Sequence, residues 1–334
     1  MSEVPVLVPT LEPADQSLVN NVLAGQRRAL AKAITLIEST RADHQQRAQQ
    51  VLNTLLPSTG NAIRIGISGV PGAGKSTFIE ALGIWLIERG KKLAVLAVDP
   101  SSSISGGSIL GDKTRMEQLC QREQAFIRPS PSAGSLGGVA EKTREAMLLC
   151  EASGFDVIIV ETVGVGQSET TVAGMVDMFC LLQLPNAGDD LQAIKKGIVE
   201  IADLVLINKA DIDPRATAVV RAQWRNALHM LRPASPNWSP PVLTASALHK
   251  EGIPEFWEAI ENYRAALTPT GEFAAKRQHQ SLSWMWQLID SGLRQHFRHH
   301  ARVQKDLPTF IQSVEQGNTT PAAAAYALLD YLKH

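Results

Sequence analysis

Little in this sequence is in excess, and several things are scarce. The 334 residues include only three cysteines, Cys120, Cys150 and Cys180. None forms a C-x-x-C pair, so neither a disulfide framework nor a thiolate metal site is indicated, and reduced buried thiols are expected. Neither charge sign dominates: 32 Lys and Arg stand against 33 Asp and Glu, a net charge of −1. That balance provides no global positive field to gather nucleic acid or an anionic membrane. No apolar run approaches the roughly 18 residues that a membrane helix needs. The N-terminal stretch MSEVPVLVPTLEPADQ lacks a basic segment and is broken by Pro5, Pro9 and Pro13, unlike a signal peptide. These absences predict a cytoplasmic protein whose partners include neither nucleic acid nor membrane. What is present is ordinary: 44% hydrophobic and 19% charged residues, enough for one large core with appendages.

The hydrophobic pattern divides the chain into three. Residues 1–57 read as a helical extension: Leu30, Ala33, Ile34 and Ile37 repeat at helical spacing, and a second polar run covers 42–56. Residues 58–265 read as an α/β domain. Short apolar strands at 63–67, 93–98, 157–160, 178–182 and 204–207 alternate with helical stretches. Continuous apolar strands are buried on both faces, which predicts a mainly parallel central sheet flanked by helices. Ligands in such sheets lie beyond the carboxyl ends of the strands. Residues 266–334 read as helical. Leu282, Met285, Trp286, Ile289 and Leu293 form an apolar stripe, a second helix covers 320–332, and a charged connector containing Pro308 is expected between them.

The first strand runs into Gly69-Val70-Pro71-Gly72-Ala73-Gly74-Lys75-Ser76-Thr77, which matches G-x-x-x-x-G-K-[ST]. Glycines let successive N–H groups turn inward as a nest for phosphate oxygens, and the helix that follows adds its N-terminal dipole. Lys75 is expected on the β- and γ-phosphates and the Ser76 hydroxyl on Mg²⁺. The match implies a P-loop nucleotide site but does not choose the base.

The strand at 204–207 runs into Asn208-Lys209-Ala210-Asp211, an N-K-x-D pattern. Guanine presents N1–H and N2–H₂ side by side, and a carboxylate at 211 accepts both. Adenine offers no such pair, so GTP and GDP are the expected ligands rather than ATP. Asn208 is expected to tie this loop to the phosphate loop, and the Lys209 stem to cover the base. Ser246, Ala247 and Leu248 fit the loop whose backbone N–H faces the guanine O6.

Acidic residues follow other strands. Asp99 and, further on, Asp112 are candidate Mg²⁺ partners, against the plainer roles of turn residue and helix cap. Glu161 follows the third strand where many NTPases carry a metal-associated Asp. Gly164 is a candidate for contact with the γ-phosphate, and Gln167 for orienting water. A loop with Asp189, Asp190 and Lys195 leads into a helix; by spacing alone it reads as a solvated loop. His296, His299 and His300 suit a solvated helix face better than a metal site.

Together, GISGVPGAGKST at 66–77, GGSILGDKTRM at 106–116, ETVGVGQSE at 161–169, GDDLQAIKKG at 188–197, NKAD at 208–211 and SALHKEGI at 246–253 closely resemble the MeaB/ArgK family of G3E GTPases. The resemblance implies a P-loop NTPase fold of the SIMIBI type. It implies a slow, partner-stimulated GTPase that associates with adenosylcobalamin-dependent methylmalonyl-CoA mutase, gates cofactor loading and protects the mutase. It further implies a homodimer supported by the C-terminal helical arm, and a switch role for the loop holding Lys195. An ATP-dependent kinase on the same fold, or a metallochaperone, are the alternatives.

Overall fold

In the computed structural model the described residues are 11–98, 116–129, 136–162, 168–185, 196–231 and 234–333. Seven strands form one sheet: β1 (Ile63–Gly69), β2 (Leu93–Val98), β3 (Ala125–Pro129), β4 (Val157–Thr162), β5 (Met178–Gln183), β6 (Leu204–Ile207) and β7 (Val242–Thr244). Their order is β3-β2-β4-β1-β5-β6-β7, and every pair is parallel. The expected α/β fold with a parallel sheet is therefore present. All five strands read from the apolar runs are found. The two that were missed, β3 and β7, are the sheet's edges. β3 is short and carries Arg128 and Pro129, and β7 has three residues, so neither shows the long apolar run of a strand buried on both sides.

Each face of the sheet is covered by helices. On one face lie α4 (Lys75–Ile87) and the helix Ile253–Leu267, where Phe78 meets Phe256 edge to face at 4.8 Å between ring centroids. On the other face lies Leu136–Ala152. Against it pack α1 (Pro13–Leu23), α2 (Arg27–Glu38) and α3 (Ala42–Leu55), three helices where two runs were expected. Leu30, Ala33, Ile34 and Ile37 are all buried there, so the apolar stripe of α2 does what its spacing predicts. The pair Arg64–Glu151, two bonds of 2.8 and 2.9 Å, ties β1 to the end of the Leu136–Ala152 helix beneath this layer.

Contacts divide the chain into a first compact unit running to Ala274 and a second from Ala275. The second holds most of the helix Glu272–His299, then Ala301–Glu315 and Pro321–Asp330. The expected connector at Pro308 is instead the interior of a helix. Val303, Leu307, Phe310 and Val314 repeat at helical spacing, and that periodicity carries the helix past a proline that removes one backbone bond. Thr320 accepts the Ala323 N–H and starts the last helix as a side-chain cap. Leu282, Met285, Trp286, Ile289 and Leu293 are each 40–60% exposed, an uncovered apolar stripe in this structure. No helix among the described residues is long and apolar enough to cross a membrane.

Candidate nucleotide-binding site

The strand order puts a crevice at the carboxyl end of β1. From β1 the chain goes to one side of the sheet, and from β4 it crosses to the other. Ligands of open parallel sheets bind where the direction reverses in this way. The register brings the strand ends level: Ile67 pairs with Glu161, Gly69 with Leu182, Gln183 with Ile207, and Ile207 with Thr244.

The phosphate loop spans β1 and α4. Its shape depends on glycine at two points. Gly69 has a φ of 153°, and a Cβ there would lie 2.3 Å from the Leu182 carbonyl oxygen. Gly74 has a φ of 79°, and its Cβ would lie 2.7 Å from Asn208 Nδ2. The loop therefore sits against both β5 and the Asn208 segment, too close for any side chain. Gly74 is the N-cap of α4 in a left-handed conformation and brings no side chain to that end of the helix. The first-turn N–H groups and helix dipole thus face the crevice, the arrangement that favours an anion. Lys75 is buried, its Nζ donating to the carbonyl oxygens of Gly69 at 2.8 Å and Val70 at 3.3 Å. Its charge is held at the mouth of the loop. Pro71, Gly72 and Thr77 are exposed on the loop and helix, and Ala73 is buried beneath them.

The Ser76 hydroxyl donates to Glu161 Oε1 at 3.1 Å. Glu161 is buried at the end of β4, which brings together two candidate oxygen donors that the sequence separates by 85 positions. On the opposite face of the sheet the Thr162 hydroxyl donates to Ser68 Oγ at 2.8 Å, joining the ends of β4 and β1. That pair was not read from the sequence. Its signal was a hydroxyl at the end of each of two apolar runs.

Asn208 is 1% exposed and works as a strut. Its Nδ2 donates to the Ala73 carbonyl at 2.8 Å, and its Oδ1 accepts the Ala247 N–H at 3.2 Å. Its own N–H donates to the Gln183 carbonyl at 2.9 Å. One side chain thus ties the β6 end to the phosphate loop, as expected of it, and also to the 246–248 turn, which was not expected. Ala247's N–H is engaged in this strut. Leu248, next in the turn, is 76% exposed.

Lys209 has a φ of 59°, unusual for a side chain larger than Asn, and this turns the chain so that Asp211 follows close beside Ser246. The Ser246 hydroxyl donates to the Asp211 carboxylate and holds its carboxyl below the usual carboxylate range, aided by the nearby charges of His249 and Lys209. His249 Nε2 lies 3.7 Å from Asp211 Oδ2. His249 was not singled out from the sequence; its position three residues after Ser246 in the same turn is the signal. The ionised carboxylate is the form that accepts guanine N–H groups. GDP affinity should therefore stay level as pH falls from 8 to 5. Ser246→Ala should weaken GDP about 5-fold and move the acid loss of affinity to higher pH, because the carboxyl then titrates higher. Calorimetry over a pH series checks this, and an identical profile for the variant would remove Ser246 from the role.

Asp99, Asp112, Gly164, Gln167 and Lys195, with Asp189 and Asp190, lie outside the described residues. Among the described residues no three His, Cys, Asp or Glu side chains are grouped to hold a metal. His299 Nδ1 is 2.9 Å from the Gln295 carbonyl, a contact within its own helix.

A family profile described as methylmalonyl Co-A mutase-associated GTPase MeaB matches residues 30–302. A Caulobacter vibrioides protein named as a GTPase is 55% identical, covering 97% of this chain and 98% of its own. The mitochondrial methylmalonic aciduria type A homolog of Mus musculus is 47% identical, over 95% of this chain and 79% of its own. A crystal structure described as an LAO/AO transport system kinase superposes with a TM-score of 0.78 at 40% identity, over 98% of this chain and 100% of that one. With a family profile matched across most of its length and a 55% identical relative aligned over 97% of it, this chain belongs to the MeaB family of methylmalonyl-CoA mutase-associated GTPases.

Proposed function

We infer that the protein binds GTP at the carboxyl end of β1 and hydrolyses it to GDP and phosphate. It does so slowly, as the switch of a chaperone for adenosylcobalamin-dependent methylmalonyl-CoA mutase. The observation that carries the nucleotide half is the Asn208 strut, which holds the phosphate loop and the Asp211 segment in one frame. Lys75 neutralises the phosphates, the loop amides cradle them, and Asp211 selects guanine. Leu248's N–H is the donor nearest in sequence to the engaged Ala247 for the guanine O6. Ser76 and Glu161 offer hard oxygen ligands 3.1 Å apart, a donor set that suits Mg²⁺. When bound, that ion supplies positive charge to the γ-phosphate oxygens. Asp99 and Asp112 complete the metal partners in this reading, Gly164 contacts the γ-phosphate, Gln167 orients water, and Lys195 reaches the nucleotide from the mutase-sensing loop.

The mutase half rests on the family's description. The uncovered stripe at 282–293 supports a homodimer through the C-terminal arm, residues 266–334, with 1–57 as the helical extension and 58–265 as the GTP-binding domain. The balanced charge and the absence of an apolar span favour a cytoplasmic location. The kinase description of a similar structure favours a second reading, ATP-dependent phosphoryl transfer. The carboxylate at 211 argues for guanine instead.

A pull-down with methylmalonyl-CoA mutase, in GDP and in a non-hydrolysable GTP analogue, tests the proposal together with GTPase rates. Nucleotide-dependent capture and a rise in turnover of about 10-fold or more are expected. No capture in either nucleotide would reject the mutase role, and tight ADP binding with no response to GDP would reject the guanine reading.

A further inference from the structure

The helix Pro214–His229 is basic in a chain that is not. Its 16 residues carry Arg215, Arg221 and Arg225 and no carboxylate, while the whole chain has a net charge of −1. The nearest acid before it, Asp213, is engaged as the helix N-cap and accepts the Ala216 N–H at 2.9 Å. No ion pair among the described residues engages the three arginines. The helix buries Thr217, Val220 and Trp224 on the sheet side, so its opposite side faces solvent. At 3.6 residues per turn, Val219, Ala222 and Met230 fall together on that outer side. All three are exposed, Met230 by 86%. An apolar ridge rimmed by arginines and free of acids has the composition of a contact surface rather than of a solvated helix face.

Beside the ridge, Arg221, Arg225, Asn226 and Thr244 help to line a cavity of about 570 Å³ that has no acidic side chain. It shares Arg221 and Thr244 with a second cavity of about 400 Å³, which runs on to Asp211, Glu251 and Glu255. The first cavity therefore favours incoming carboxylates and the second disfavours them. The edge strand β7 borders both, but it is closed to strand addition. Arg221 Nε donates to the Val242 carbonyl at 3.2 Å, and the Thr244 carbonyl lies against Gly252, where a Cβ would come within 2.3 Å of it. What stays open is the convex face of a helix about 24 Å long, which a second helix covers by packing along it. We propose that this face is a docking surface for an acidic amphipathic helix of a partner protein. The apolar side of that helix lies on Val219, Ala222 and Met230, and its carboxylates meet Arg225 and Arg221. The contact uses none of the nucleotide-binding side chains.

The test is fluorescence anisotropy with the full chain and a labelled peptide of about 18 residues, with leucine at helical spacing on one side and glutamate and alanine elsewhere. Saturable binding is expected, weakening about 5-fold as NaCl rises from about 50 to 200 mM. Arg225→Glu should weaken it about 10-fold, and Val219→Ser combined with Met230→Ser about 5-fold. These positions are exposed, so the variants should fold as wild type does. The same peptide with lysine in place of glutamate should not bind. No binding of the glutamate peptide, equal binding of the lysine peptide, or undiminished binding to the variants would overturn the proposal. A changed oligomeric state of Arg225→Glu in light scattering would overturn it in favour of a second copy of this chain on the same face. Tighter binding of a single-stranded DNA oligonucleotide than of the peptide would overturn it in favour of nucleic acid.

Discussion

Lys75→Ala is expected to lower GTP turnover by at least about 10²-fold, the largest effect of any single change in the phosphate loop. The reason is electrostatic. Lys75 is buried, and its ammonium is pinned at the loop mouth by the Gly69 and Val70 carbonyls. A positioned cation acting on charge that grows in the transition state contributes far more there than in bulk water. Those same carbonyls, left without the ammonium, would turn acceptor dipoles toward the phosphates. Single-turnover hydrolysis with nucleotide held above saturation separates this from weaker binding. A variant that hydrolyses GTP at the wild-type rate would show that the reacting phosphate lies elsewhere.

Asp211→Asn is expected to invert base preference, from GTP toward xanthosine triphosphate. Guanine gives two donors to the carboxylate. Xanthine keeps N1–H but has an oxygen at the 2-position, so an amide that both accepts and donates matches it. GTP affinity should fall by about 10²-fold or more, since the amide N–H₂ then faces the guanine N2–H₂. The Ser246 hydroxyl that donates to the carboxylate rotates to donate to the amide oxygen, so the turn itself survives. Competition binding with GDP and XDP measures the inversion, and unchanged selectivity would place base recognition on another group.

Much of this was legible in the residues, for identifiable reasons. The five central strands showed themselves because strands buried on both faces must be apolar throughout. The phosphate loop was legible because glycine is required where Leu182 and Asn208 approach. The helix carrying Pro308 was not, because a proline signals a break locally and only the spacing on both sides restores the helix. β7 was not, because three residues bear no period. His249 was not, because the importance of a side chain in a turn depends on what the fold places beside it.

The sequence by itself determined the parallel α/β architecture and the phosphate-loop motif and carries the proposed guanine reading, since each is written by neighbours along the chain: apolar runs, glycine spacing, a carboxylate three residues after Asn208. Only the tertiary structure decided which distant groups meet. Ser76 and Glu161 are 85 positions apart, and Asn208 and Ala73 135. A hydrogen bond acts over about 3 Å whatever the separation in sequence, so such pairings follow from strand order and register, which no local pattern states.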